Sequence, residues 1–595
     1  MNFMNVKNLS LSYFIRNFNR LIKYISRNIK ISCLLVKKYE KCHFKTIWAL
    51  QPDLSTEKER SDDIDIFTFQ IPANNINWHK DYSSDYEYPL LRFDRLKFHM
   101  LFNKGVDVIF PWETSRCQFL IAWGQNYFNT GEVNYYYKFK NTILNWLKEN
   151  PFLYGINWTS PMDASIRATN WIIACELFDE ELRNDDNLKK VITISLQQHA
   201  DFILKFMGKR HNNHAVSHYA GLLFITTFLI TKRSRKLQKK AIKGLEWCMK
   251  SQVFGDGVDS EYALCYHRLV LEMFAFSAIL SKANNIILSD RYYNSLFKMF
   301  EFTAAYIDHK GIAPQVGDND SGRFLILDDS YENDHSYLLD IGLKIFDYNF
   351  LTLAEKRSGN LLKWLPDFEK VEVPGDFRIT DKSISFSEGG FYFLKNDKFF
   401  VSVNGNAINK KSITGHMHFD FSSFTISFRG NPIIIDPGTY LYTPDLVMRN
   451  MFKGLESHNV SFPADLNPEI FKSKGYFGIG DKWPIISDLS FDYNQIFLKI
   501  IYGDESIERT IKLADNSIYV KDVGDSLIKS HLHTRLKFNI DGSRLISDIL
   551  NIETNTRNIE IESSHFSERY GHISGESSRI ILTGDKEINI DFLFK

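Results

Sequence analysis

Near Val373-Pro374-Gly375-Asp376 the recurrence of apolar residues changes from every third or fourth position to every second, and that change divides the chain into two kinds of structure. Before it, helical spacing runs through segments near 113–127, 133–149, 161–178, 188–206, 214–232, 235–251, 262–283, 290–307 and 334–347. Pro111 precedes the first of these, and Asn150-Pro151 ends the second. Amphipathic helices joined by short loops pack as antiparallel hairpins, so this half is expected to be an all-α bundle, toroid or solenoid. After the change, 383–386, 390–394, 398–403, 559–561 and 588–592 alternate between turn signals, which predicts a β-sandwich or stacked sheets. The expected division is a basic arm and linker over 1–95, a helical domain over 96–374 and a β domain over 375–595. A chain of 595 residues is long enough for two large cores.

Within the β half, Gly415-His416-Met417-His418-Phe419-Asp420-Phe421 sends His416, His418 and Asp420 to one face if the segment is extended. Phe424–Phe428, a turn at Arg429-Gly430-Asn431-Pro432, and Ile433-Ile434-Ile435 then read as a hairpin that ends in Asp436-Pro437-Gly438. His458 follows in Glu456-Ser457-His458-Asn459, so three imidazoles and the Asp436 carboxylate are candidates to converge. Either a metal site or an acid/base site fits those groups, and alternate polar residues on a half-exposed strand are also commonly no more than its solvated face.

The helical half carries its own polar clusters. Arg210-His211-Asn212-Asn213-His214 precedes an apolar-periodic segment, which places its asparagines to cap a helix or, at that helix's positive end, to meet an anion. Asp256-Gly257 and Glu261 lead into Tyr266-His267-Arg268, where positive neighbours would lower the phenol pKa and make Tyr266 a base or acid. Pro314–Gly322 is rich in turn formers, and its Asp318 and Asp320 would orient a site or simply close the turn. Asn157-Trp158, Arg167, Asn170 and Trp171 add amide, guanidinium and aromatic groups.

Charge and cysteine usage narrow the classes. Lysine plus arginine (72) balances aspartate plus glutamate (72), which removes the basic bias of a nucleic-acid binder. Aromatic residues make up 15% of the chain, a content that suits either stacking on sugar rings or ordinary core filling. The six cysteines form no CxxC pair and read as reduced core thiols. Arg16, Arg20, Lys23, Arg27 and Lys30 interleave with Phe14, Ile15, Phe18, Leu21 and Ile22 at helical spacing. Such an arm suits peripheral contact with an acidic membrane surface, although packing on the protein's own body is the expected arrangement. Residues 52–64 are polar throughout and read as a linker, and the first residues build no signal peptide, so a cytoplasmic location is expected.

Taken in order, Pro111-Trp112-Glu113 with Arg116, Asn157-Trp158 through Asn170-Trp171, Asn212-Asn213-His214, Asp256-Gly257 with Glu261, Tyr266-His267-Arg268, Val316–Asp320, Gly415–Asp420, Asp436–Tyr440 and Ser457-His458-Asn459 resemble one family. It is that of the heparinase II/III-like polysaccharide lyases and their alginate-lyase relatives, and the resemblance runs from about 107 to 465. It implies an incomplete (α/α) toroid followed by an antiparallel β-sandwich, and β-elimination on a uronic-acid polysaccharide. Carried over by motif, Asn213 with His214 would hold the substrate carboxyl group, Tyr266 would act as base or acid, and His416 would be its counterpart across the sugar. Candidate substrate-binding residues are Arg116, Arg167, Asn170, Glu261, Arg268 and Arg449. His418, Asp436 and His458 match positions that hold a structural zinc in some members. Degradative members usually carry an export signal and would be periplasmic or secreted, whereas others resemble proteins made alongside surface-polysaccharide synthesis. Two further readings remain open here. One is a non-catalytic polysaccharide-binding or assembly protein anchored by those arginines with Lys410 and Lys411; the other is a glycoside hydrolase using Glu261 and Asp318.

Overall fold

A computed structural model describes residues 34, 37, 39, 42–50, 59–61, 63–208, 212–348, 361–373, 382–405, 408, 412–471, 475–480 and 482–595. Arg16, Arg20, Lys23, Arg27 and Lys30 of the basic arm, with Arg210, His211, Lys410 and Lys411, lie outside the described residues. Among those described, eleven α-helices precede the β half. They are α1 Ile109–Arg116, α2 Phe119–Thr130, α3 Val133–Glu149, α4 Pro161–Leu177, α5 Asp179–Arg183, α6 Asp186–Phe206, α7 Asn213–Phe228, α8 Ser234–Gln252, α9 Leu264–Ala283, α10 Asp290–Tyr306 and α11 Tyr337–Ile345.

Local chemistry sets several of these ends. The Ser160 side chain accepts from the backbone N–H of Asp163 with Pro161 in the first turn, and Asp185 and Ser289 do the same work for α6 and α10. The single helix expected over 113–127 is two helices, because Cys117 adopts a left-handed conformation (φ 57°) that closes α1. The expected segment 214–232 also stops early: α7 ends at Phe228, and Leu229-Ile230 pairs with His43-Phe44 as a short antiparallel ladder. Helices α4, α7 and α9 line the middle of the toroid. Every residue of α9 from Leu264 to Ser281 is buried, so it shows no amphipathic stripe. It is long and apolar enough to cross a membrane, yet its apolar stretch is wholly buried inside the protein.

Of the expected linker over 52–64, residues 52–58 and 62 lie outside the described residues, and residues 63–101 pack onto the helices. Arg60 donates to Gln125 Oε1 (2.6 Å) and to Asp329 Oδ1 (2.8 Å), and Trp78 is buried with its indole N–H on Asn145 Oδ1 (2.7 Å).

The β half opens with a five-stranded antiparallel meander in chain order: Ile384–Phe386, Phe391–Lys395, Phe399–Asn404, Phe424–Phe428 and Asn431–Ile434. A ten-stranded antiparallel sheet follows, built around the long strands Ser517–Thr534 and Ser577–Phe594. The two sheets stack through Phe399 and Phe428 against Phe594, with ring centroids 4.7 Å apart in both pairs. The loops at the Pro432–Asn459 end of the smaller sheet reach back to the toroid, and the candidate site lies at that junction.

Candidate active site

Asp318 ties the two halves together. Its loop from the toroid needs Gly317, whose φ is +64° and where an added Cβ would stand 2.7 Å from the His416 carbonyl oxygen. The Asp318 backbone N–H donates to that same oxygen (2.9 Å), while its carboxylate accepts from His416 Nδ1 (2.9 Å), His418 Nε2 (2.8 Å) and both terminal nitrogens of Arg449 (2.5 and 2.7 Å). Burial opposes ionisation of Asp318, but the Arg449 charge and the two histidine bonds outweigh it and hold the carboxyl well below its ordinary range. Residues 414–416 form a 3-10 turn rather than a strand, so His416 and His418 converge through Asp318 and not through strand alternation.

Against this hub the rings of Tyr266 and His416 stack face to face, with centroids 3.6 Å apart and planes 17° from parallel. The resemblance puts these groups across a sugar from one another. At that separation no sugar ring fits between them. The Tyr266 hydroxyl donates to Asp320 Oδ2 (2.7 Å) and lies 3.2 Å from the Tyr442 hydroxyl. The expected lowering of its pKa is reversed: burial, then the Asp320 and Asp318 charges, push the phenol well above its usual value. Neighbouring residues on a helix point about 100° apart, which explains the difference. His267 turns to Thr303 Oγ1 (3.3 Å), and Arg268 turns to the carbonyls of Gly322 (3.2 Å) and Glu332.

Asn213 opens α7, beside the stack. Its backbone N–H (2.5 Å) and its side-chain amide (2.7 Å) both donate to Glu261, whose Oε2 lies 3.5 Å from His416 Nε2. Asn212 stands at the cap position without making a side-chain cap, so Glu261 from another segment does the capping. The Asn213 Oδ1 is buried without a hydrogen-bond partner. His214 follows on the first turn, half-buried.

The expected substrate anchors are engaged within the protein. Glu261, Arg167, Asn170, Arg268 and Arg449 are 0% exposed, Arg116 is 5% exposed, and each is bonded to other protein groups. Arg167 lies over the Trp146 ring (4.3 Å) and donates to His199 Nε2 (3.0 Å). Asn170 donates to the Ile166 and Phe324 carbonyls, and Arg116 pairs with Asp163 (2.8 Å) and Glu113. Charge and amide content said nothing about which way these side chains point: Arg449 sits on a helix over Leu446–Lys453 whose Val447 is 76% exposed, yet it turns inward to Asp318. Two groups escaped the sequence reading. Tyr442 packs under Arg449, whose guanidinium lies 4.8 Å from its ring centre, and Phe477, 49% exposed, stands with its ring 5.9 Å from that of His416. Only the Gly475–Gly480 turn signals hinted that Phe477 sits on a projecting loop.

Behind the hub, His458 Nδ1 donates to Asp436 Oδ2 (2.7 Å), and the His418 and His458 rings are 5.3 Å apart. His418 Nδ1 is buried without a partner, and His458 also bonds the Lys453 backbone. Among the described residues, however, no three His, Cys, Asp or Glu groups are arranged as a metal-binding set.

This architecture recurs in known proteins. The chain resembles a crystal structure of heparinase III at 15% identity and a TM-score of 0.64, over 87% of this chain and 79% of that one. It also resembles the heparan sulfate lyase HepC from Pedobacter heparinus at 14% identity and a TM-score of 0.55, over 100% and 91%. A Streptomyces coelicolor A3 chondroitin AC lyase shares the fold at 10% identity and a TM-score of 0.50, over 81% and 74%. No curated protein is detectably similar to the chain. Residues 51–337 match the model of the heparinase II/III N-terminus, and residues 378–468 match that of the heparinase II/III-like C-terminal region. A helical toroid followed by β-sheets, joined at the Asp318 hub and matched by both models in this order, identifies the chain as a member of the heparinase II/III family.

Proposed function

We propose that the protein is a polysaccharide lyase that cleaves an acidic, uronic-acid-containing polymer by β-elimination. The observation that carries this reading is the Tyr266–His416 stack, with the Asn213–Glu261 pair beside it at the junction of the two halves. In such a polymer the proton on C5 is next to a carboxylate and is acidic only when that charge is neutralised. The Asn213 amide, oriented by Glu261, is the group suited to hold the carboxylate and the negative charge that develops on it. One well-placed donor of this kind contributes about 3 kcal/mol. Tyr266 is placed for proton transfer, and His416, its Nδ1–H held on Asp318, supports the same face of the sugar. Phe477 offers an exposed ring for the adjoining residue of the polymer.

The hydrolase alternative requires two carboxylates facing each other across water. Glu261 and Asp318 are both 0% exposed and bonded to protein groups, which argues against it. The test is incubation with heparan-type, alginate, glucuronan and galacturonan polymers while recording the ultraviolet absorbance of an unsaturated uronate. A rise with one polymer supports elimination and names its substrate. Retained binding without product from all of them would favour the binding-protein reading.

His418 and His458, with Asp436 as orienting partner or third ligand, are the residues that would hold a structural zinc. The buried, unpartnered ring nitrogen of His418, beside the His458 ring, supports that reading. The ion would pin the loops around 418, 436 and 458 and take no part in proton transfer. Metal content of the purified protein and its thermal shift with chelator test it; a metal-free protein insensitive to added zinc would remove the assignment.

A further inference from the structure

The lyase reading leaves a difficulty at Tyr266. The phenol is 4% exposed and carries its proton at rest, because burial and nearby carboxylates oppose its ionisation. A protonated phenol takes a second proton only if its own leaves at the same time. Its hydrogen-bond partners are the Tyr442 hydroxyl at 3.2 Å, itself a phenol, and Asp320 Oδ2 at 2.7 Å. Asp320 is only half-buried, unlike Asp318. Its Oδ1 accepts from the Gly322 backbone N–H (3.0 Å), which fixes the carboxylate with Oδ2 towards the phenol.

We infer that Asp320 is a positioning residue that holds the Tyr266 proton during turnover and so lets one tyrosine serve as both base and acid. The inference rests on the lyase reading above. The C5 proton moves to the Tyr266 oxygen while the phenolic proton moves to Asp320. The C5–H electron pair becomes the new C4–C5 double bond, and the C4–O bond breaks. The departing oxygen then takes a proton from Tyr266, and Asp320 returns its own. No proton is gained or lost by the protein over the cycle. Stacking of His416 on Tyr266 leaves a single face for both transfers, in keeping with one shuttling group.

The test compares wild type, Asp320→Asn and Tyr266→Phe, on the polymer that wild type cleaves, across a range of pH. Asp320→Asn, nearly the same size, should lower kcat at neutral pH by about 10²-fold or more, with KM little changed. Its kcat should then rise about tenfold per pH unit on the alkaline side, because the phenol must ionise before it can act. Wild-type kcat should lack that rise. An Asp320→Asn rate equal to wild type, or a loss that stays constant at every pH, would overturn the relay; the second result would reduce Asp320 to packing. Wild-type protein that forms no unsaturated product from any polymer would defeat the lyase reading itself, whereas product from wild type with an unaltered Asp320→Asn profile defeats this inference alone.

Discussion

The rings of Tyr266 and His416 lie face to face with centroids 3.6 Å apart, one from the start of a toroid helix and the other from a loop of the β half. Neither half alone contains the pair, so the candidate site exists only when the two domains are docked. Replacing Tyr266 by Phe keeps the stack and removes the hydroxyl. Unsaturated product should then fall by about 10²–10⁴-fold, with the thermal unfolding profile preserved.

Asp318 is the member of the hub whose loss should be felt in stability as well as in activity. Asp318→Asn leaves the buried Arg449 without its carboxylate, a change of about 3–5 kcal/mol for a buried pair. Denaturant unfolding would measure it. The acid limb follows from the sign of the shift. The folded carboxyl lies below its unfolded value of about 4, so this contribution is complete above that pH and is lost as pH falls below it.

Gly317→Ala tests the same hub by geometry alone. A Cβ 2.7 Å from the His416 carbonyl, on a residue with φ +64°, forces the loop away from His416. Loss of kcat should exceed the loss of global stability; an Ala variant with wild-type kcat would show that the contact does not position His416.

Three histidines inside the toroid give a separate pH signature. Burial holds the imidazoles of His199, His267 and His335 far below their ordinary range, His267 at about 3. The unfolded chain binds protons at these residues below about pH 6.5 while the folded chain does not, so stability should fall on acidification from that point. Unfolding free energy measured between pH 7 and 5 should decline; a flat profile would contradict the neutral buried state.

Much of the fold was legible because period is a property of single segments. The helices at 133–149, 161–177 and 290–306, and the hairpin strands at 424–428, announce themselves through spacing alone. Cys117 did not, since a left-handed residue inside an unbroken apolar pattern leaves no compositional mark. The site divides in the same way. Motif order selected Asn213, Tyr266 and His416, which do come together, but the identity of a residue does not tell which way its side chain points. Arg167 reads as an anion anchor and is instead enclosed by Trp146, Trp158 and His199. Tyr266 reads as a phenol beside two cations and instead faces Asp320. Tyr442 and Phe477 belong to no charged motif, and only the folded chain brings them to His416.

The most direct test of the central claim is mass analysis of the fragments released from a uronate polymer in heavy-oxygen water. Elimination breaks the C4–O bond without adding water. Fragments should therefore carry no heavy oxygen at the cleaved position, and each new non-reducing end should be lighter by one water than its hydrolytic counterpart. Heavy oxygen incorporated at the cleaved bond, with no unsaturated end, would show hydrolysis and contradict the account.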